Sequence, residues 1–476
     1  MMFKLHKYNQ SLIAILIFFF ILTLRLPHLT SSPAEYHAWR QSDTDTIARN
    51  FLEQRFNIFY PQLNYDGPMP NYVQLEFQIT TFLIAILYKM FGYHYVLARL
   101  VPLAFFLASA WFLYCLARKL YSVATAWYTV ILYGTFPFNI YFSRAIMPES
   151  AALFFFIGSF YYFLRWIEEE RVGFLYLSGI FTALAVSQKI PAIFVGIPMI
   201  VMALKKYKEK LLTQWQLWVF AFISLGTPFL YYSWLQAVAE TDYVSGIAMH
   251  QVGMKFMTAI FTPEAQNFLA QALPRAFTPY ALRLFLLGFF TLNISRDLPL
   301  VSWVLAMLLE VVTVVAVIKL DYYLLLLAPV LSLVGGKALA FLGKMKWGTV
   351  WVILILFFIF NHSWEKLEFY YQQDLELLEQ AQIVQQYTKE DDLIVIGTFQ
   401  PQLLNLASRK GWRANVTIPG DPEAEMEYYL RNGARFFVRL KEQIEGDEEG
   451  VYSKYIQTRF PAVLVKNNLV IYKLGD

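Results

Sequence analysis

Apolar runs of close to bilayer-spanning length recur along this chain from its start to about residue 360, and a soluble fold has no interior large enough to hide them. A span needs about 20 apolar residues. Candidates fall at Leu12 to Leu26, Val96 to Ala117, Ala124 to Tyr141, Ala151 to Trp166, Gly173 to Ser187, Pro191 to Leu204, Trp218 to Trp234, Ala281 to Leu292, Leu298 to Ile318, Tyr322 to Leu342 and Trp347 to Phe360. That makes about eleven transmembrane helices. The 58% hydrophobic and 16% charged composition over 476 residues, with mean hydropathy +0.44, fits a polytopic membrane protein. The net charge of +4 is small, and the basic residues fall in short clusters between apolar runs, which excludes a nucleic-acid surface. One cysteine, Cys115, leaves no internal disulfide and no cysteine-based metal site. The first apolar run has no small-residue cleavage pattern, so it reads as a retained helix.

The segment Leu75 to Gly92 decides the topology. Counted as a span, it would put the "ARK" of Ala117 to Lys119 outside. Laid in the interface, it leaves "MMFKLHK", "ARK", "RWIEEER", "KKYKEK" and "GKMK" all on one side, as the positive-inside rule prefers. The N-terminus is then cytoplasmic. The first loop (27–96), the turns "SRAIMPES", "SQKIP" and "KLDYY", and the loop from Leu235 to Tyr280 share the outer face. The expected domains are a membrane domain over 1–362 and an extracytoplasmic α/β domain over 363–476. In the latter, "DLELLEQAQIVQQYTKEDD" reads as a helix, "LIVIGTF" as a strand, "EAEMEYYLRNGA" as a helix, and "AVLVKNNLVIYKL" as a hairpin turning at Asn467 and Asn468.

Polar groups crowd the first loop in "SSPAEYHAWRQSDTDTIARNF". Ser42 followed by "DTDTIARNF" reads as a helix start, with Ser42 as N-cap and Asp43 and Asp45 in the first turn. One interpretation is an amphipathic surface helix whose acids suit the dipole. The other is a functional site, because His37, Arg40 and Asp43 are more polar than an interfacial belt of Tyr36 and Trp39 requires.

"PAEYHAWRQSDTDTIARNF", "YDGPMPNYVQLEF", "FSRAIMPES", "SQKIPAIFVGIP" and "DYYLLLLAPVLSLVGG" together resemble the successive landmarks of bacterial family 39 glycosyltransferases, the group of protein O-mannosyltransferases and the lipid A aminoarabinose transferase. The resemblance implies a GT-C fold in a bacterial inner membrane. It also implies transfer of a sugar from a polyprenyl-phosphate donor to a glycan, lipid or protein acceptor outside, among membrane lipids. Such chemistry needs a base for the acceptor proton and cations for the leaving phosphate. Relatives carry an Asp-Glu pair soon after the first helix. Here Glu35 lacks the preceding Asp, and Asp43 lies in the more distinctive "WRQSDT", so both stay candidates for the base. Arg40, Arg144, Lys189, Tyr322 and Tyr323 are the expected phosphate ligands, and Lys189, on the outer side, calls for an anionic partner. His37, Glu149, Asp66 and Glu76 are supporting polar residues. His37, His94 and His250 have no metal-site spacing, so no metal ligand is assigned and divalent-metal dependence is left open. Two other classes are carried alongside: a secondary transporter, for which Glu310 is the main intramembrane charge, and a non-catalytic assembly protein.

Overall fold

The structure is a computed structural model that describes residues 2–239, 251–441, 444, 446–466 and 468–475, with side chains from Leu12 onward. His250 and Asn467 lie outside the described residues. The chain forms two compact units. One combines residues 2–29 with Arg99–Trp234 and residues 251–370. The other combines Thr30–Ala98 and residues 235–239 with the described chain from Tyr371 onward. The first loop, expected with the membrane domain, thus clusters with the C-terminal domain.

The first unit is helical throughout. Seven described helical runs are long and apolar enough to cross a membrane, among them Tyr95–Leu120, Glu149–Glu169, Leu298–Ile318 and Asp321–Leu342. The other expected spans fall on shorter helices, at Leu12–Thr23, Val172–Gln188 and Pro279–Phe289. A further one is split by Pro137 into Val123–Thr135 and Pro137–Phe142. This is a membrane protein, and its lipid-compatible surface is visible as large exposed side chains such as Phe222, Phe229, Phe290 and Trp351. Helices approach closely where side chains are small. A Cβ on Gly336 would meet Thr129 Oγ1 at 2.2 Å, so the "VGG" of Val334 to Gly336 lets helix Ala328–Leu342 seat against Val123–Thr135. Glu310 sits at the start of a π-helical turn, Val311–Val315, inside a span. It is fully buried, and neither carboxyl oxygen has a hydrogen-bond partner among the described residues.

In the second unit, five strands form one sheet: β1 (Leu393–Ile396), β2 (Lys410–Arg413), β3 (Ala434–Leu440), β4 (Ala462–Val465) and β5 (Leu469–Lys473). The order is β2-β1-β3-β5-β4. β1 is parallel to β2 and β3, while β5 pairs antiparallel with β3 and β4. The apolar side chains of Val395, Trp412, Tyr429, Phe437 and Ile456 make its core. The first loop docks on the β2 edge, where Gly411 N–H donates to Asn64 O (2.8 Å) and Asp66 N–H to Gly411 O (3.1 Å). Only glycine fits there, since a Cβ on Gly411 would lie 1.8 Å from Ile394 O.

Two local expectations change. The first-loop helix runs Ala38–Glu53, with His37 in the left-handed region (φ 56°) just before it. Ser42 is therefore inside the helix, its hydroxyl donating to Trp39 O (3.0 Å), and caps nothing. The helix starts early because buried Ser42 and Asp43 find a tertiary partner in Asn405, which outweighs the local preference of Ser and Asp for a cap. Asp45 is consequently a mid-helix residue, not a first-turn dipole partner. The Leu75 to Gly92 segment holds a helix of only 13 residues, Ile79–Phe91, about 20 Å long against a hydrocarbon core of about 30 Å. It packs Ile84, Ala85 and Tyr88 toward helix Ala38–Glu53 and leaves Met90 and Phe91 exposed.

Candidate active site

Two charged clusters of the first unit lie at opposite ends of helix Glu149–Glu169. At one, Lys119 pairs with Glu168 and Lys206 with Glu170 (2.8 Å), so the "ARK", "RWIEEER" and "KKYKEK" clusters meet. Helix Glu149–Glu169 runs about 30 Å from there to the other end. There Glu149, in its first turn, forms an ion pair with Lys189, Nζ to Oε1 2.7 Å. Lys189 follows helix Val172–Gln188 in an extended conformation, which turns its side chain back toward Glu149. Its ammonium also lies over the rings of Tyr322 (4.5 Å) and Tyr323 (5.2 Å). Glu149, Lys189, Tyr322 and Tyr323 line one small pocket with Ala152, Leu153, Leu325 and Leu326. The anionic partner that Lys189 demands is therefore already present as Glu149.

Arg144 lies in the turn before Glu149, fully buried. Its Nη1 donates to His28 O (3.0 Å), and its guanidinium faces the Tyr141 ring at 5.7 Å. Two further buried arginines at this end were not picked out by sequence. Arg25 donates to Ser143 Oγ (2.7 Å), Ile21 O (2.7 Å), Gly134 O (3.0 Å) and Asn139 O (3.1 Å). It also covers the Phe106 ring at 4.2 Å. Arg99 Nη1 donates to Arg144 O (3.3 Å). Their signal was position: each lies near the end of an apolar run.

The carboxylates of the first loop belong to the second unit. Asp43 is 5% exposed, and both its oxygens are engaged: Tyr65 Oη donates to Oδ2 (3.0 Å) and Asn405 Nδ2 to Oδ1 (2.9 Å). Trp39 Nε1 in turn donates to Tyr65 Oη (3.0 Å). Burial pushes the Asp43 carboxyl up to about 7, against the opposing pull of Arg40, Tyr65, Asn405 and Arg413. Glu35 is equally buried and accepts from Gln373 Nε2 (3.3 Å). Arg40 forms an ion pair with Glu76, and Asp66 one with Arg413, whose Nε donates to Asp66 Oδ2 at 2.7 Å. Arg413 also faces the rings of Trp39 and Phe399 (5.3 and 4.5 Å). Asp45 is bound to Arg49 (2.9 Å) and to Tyr88 Oη. His37 stacks edge-on against Tyr36 at 4.4 Å. No group of His, Cys, Asp and Glu suited to a metal occurs among the described residues.

The structure thus brings Lys189, Glu149, Tyr322 and Tyr323 together in the first unit, with Arg144 in the adjoining turn. Arg40, Glu35, Asp43, Asp66, Glu76 and His37 are in the second. Tyr65, Asn405 and Arg413, which hold the carboxylates, were missed; Asn405 and Arg413 lie 362 and 347 residues away in sequence from the groups they serve, and Tyr65 lies 22 from Asp43.

Residues 79–233, under half of the chain, match the sequence profile of the dolichyl-phosphate-mannose-protein mannosyltransferase family. That segment contains Arg144, Glu149 and Lys189. In three dimensions the likeness is chain-wide. The crystal structure of ArnT from Cupriavidus metallidurans bound to undecaprenyl phosphate superposes with a TM-score of 0.71 over 97% of this chain and 98% of its own, at 11% identity. The chain has the GT-C fold. Another GT-C protein, the Archaeoglobus fulgidus oligosaccharyltransferase, matches with a TM-score of 0.61 at 12% identity, covering 91% of this chain and 70% of its own. Arabinofuranosyltransferase AftD from Mycobacteria matches at 0.56 and 11%, covering 99% of this chain and 42% of its own. No curated protein matches the chain by sequence. The GT-C assignment and the matched profile agree with the resemblance to family 39 glycosyltransferases, a class of membrane enzymes.

Proposed function

We propose that this protein transfers a sugar from a polyprenyl-phosphate donor to an acceptor on the outer side of a bacterial inner membrane. The observation that carries the reading is the cationic and phenolic cluster at one end of the GT-C body, where Lys189, Tyr322 and Tyr323 converge from distant parts of the chain beside Glu149. The acceptor hydroxyl oxygen attacks the anomeric carbon, and the bond from that carbon to the phosphate oxygen breaks. Its electron pair leaves with the phosphate, whose growing charge Lys189 and a tyrosine hydroxyl meet with charge-assisted hydrogen bonds. Glu149 holds the ammonium in place as its counter-ion, and the ammonium's N–H donors serve the phosphate. Arg144 adds positive potential. Arg40 is assigned to the donor phosphate as well, with Glu76 as its orienting partner.

The acceptor proton goes to a first-loop carboxylate. Asp43 suits the role by its acidity, since a base is most effective when its pKa lies near the working pH. Glu35 is retained beside it. Asp66, Glu76 and His37 shape the surroundings. Sidedness follows from the charge rule: the end carrying Lys119 and Lys206 is read as cytoplasmic and the end carrying Lys189 as outer. Undecaprenyl phosphate, the ligand of the ArnT structure, is the lipid carrier this reading adopts.

The test is reconstitution of the purified chain with a panel of polyprenyl-phosphate sugars, alongside mass spectrometry of envelope glycans and lipid-linked sugars from cells with and without the gene. Loss of one surface sugar together with accumulation of its lipid-linked form is expected. Solute uptake into liposomes with no requirement for lipid-linked sugar would replace this reading with the transporter, and unchanged glycans and lipid-linked sugars would leave an assembly role.

A further inference from the structure

At the carboxyl ends of β1 and β3, the second unit has a pocket that the transfer reaction does not use. Thr398, Gln400 and Gln402 reach it from the segment after β1, Lys441 from just past β3, and Gln380 from helix Leu375–Tyr387. Its volume is about 160 Å³. The location is not arbitrary. With the order β2-β1-β3, the chain leaves β1 for one neighbour and returns to the other. The loops beyond β1 and β3 therefore diverge and leave a crevice where open α/β sheets take their ligands.

A second observation points to a ligand. Gln402 is 8% exposed, its Nε2 donates to Gln400 Oε1 (2.5 Å), and its own carbonyl Oε1 has no hydrogen-bond partner among the described residues. A buried amide carbonyl left that way is costly, and an incoming hydroxyl relieves it. The lining sets the class of that ligand. Carboxamides and a threonine hydroxyl both donate and accept, as sugar hydroxyls do. Asp374 and Glu376 outnumber Lys441, which disfavours anions, and the segment "GTFQPQ" after β1 carries one glycine rather than a glycine-rich phosphate cradle.

We propose that this pocket binds one neutral sugar ring, serving as a subsite for the acceptor glycan. Its place in the acceptor rests on the transferase reading; the binding itself does not.

The experiment uses the full chain in nanodiscs free of sugar-based detergent, with saturation-transfer NMR to glucose, mannose and galactose, and with glucuronate and glucose 6-phosphate as anionic controls. Saturable binding of at least one neutral hexose and none of the anions is expected. Gln400→Ala, at an exposed position, should weaken it about tenfold, the scale of one hydrogen bond. Gln402→Met, close in size, should do at least as much. Absence of saturable binding for all three hexoses, equal binding by both variants, or equal binding of the anions would overturn the proposal. Displacement of bound hexose by a polyprenyl-phosphate sugar but not by bare polyprenyl phosphate would overturn the acceptor assignment, since the pocket would then read the donor. Persistence would support the acceptor. Polyprenyl phosphate affinity, measured in the same samples, separates the two readings: hexose binding lost with lipid binding intact removes this pocket alone, and the reverse removes the donor site.

Discussion

The cation cluster of the membrane unit and the carboxylate cluster of the first loop are assembled in opposite ways. Lys189, Glu149, Tyr322 and Tyr323 each sit at the end of a helical element, and the spans deliver them to one level because each span has a similar length. Glu35, Arg40 and Asp43 lie within nine residues of sequence, but each is held by a residue from elsewhere: Gln373, Glu76, and Tyr65 with Asn405. The first cluster is set by topology. The second depends on the packing of the first loop onto the β-sheet.

That contrast makes the carboxylate cluster the more fragile. The largest effect is expected from Asp43→Asn, which should lower turnover about 100-fold or more with donor affinity nearly unchanged, the usual scale for removing a general base. Glu35→Gln, compared by the same transfer assay, should cost much less. The reverse ranking would move the base to Glu35, and full activity in both would remove the first loop from catalysis. The parent should show kcat/KM rising with pH and levelling above about 7 as Asp43 loses its proton, a limb that Asp43→Asn abolishes. Stability has the opposite sign. The folded carboxyl titrates near 7 against 3.8 when unfolded, so the folded chain binds the extra proton between those values. Thermal stability should therefore fall from pH 4 to 7, and less so in Asp43→Asn.

Next in size is the Asp66–Arg413 pair, 10% and 5% exposed. Removing one partner from a buried pair costs about 3–5 kcal/mol, so Asp66→Ala should unfold the second unit early in a thermal melt. Asp45→Asn should also destabilise, because its carboxylate is bound by Arg49 and Tyr88. In the topological cluster, Lys189→Ala should weaken polyprenyl phosphate binding about tenfold or more, and Lys189→Arg less. Unchanged binding would reassign Lys189 to holding Glu149. Smallest is Glu310→Leu, which removes a buried carboxyl without a described partner and should raise the melting temperature with transfer retained. Loss of transfer there would show that the π-helical turn carries part of the function.

The sequence by itself determined the membrane body, because the period and length of apolar runs answer directly to the bilayer. It also determined the helix Leu375–Tyr387, β1 and the closing hairpin strands β4 and β5, all read from local pattern. β2, "KGWR", escaped detection because it is short and needs its neighbours to be a strand. Ser42 looked like a cap for the same kind of reason: propensity is worth about 1 kcal/mol, and the partners that bury Asp43 outweigh it. Only the tertiary structure decided that Glu149 is the counter-ion of Lys189, that Arg413 answers Asp66, and that the Asp43 carboxyl titrates near neutrality. Charge pairing and desolvation act over a few ångströms of space, and a chain that returns to the same place after hundreds of residues carries no local mark of it.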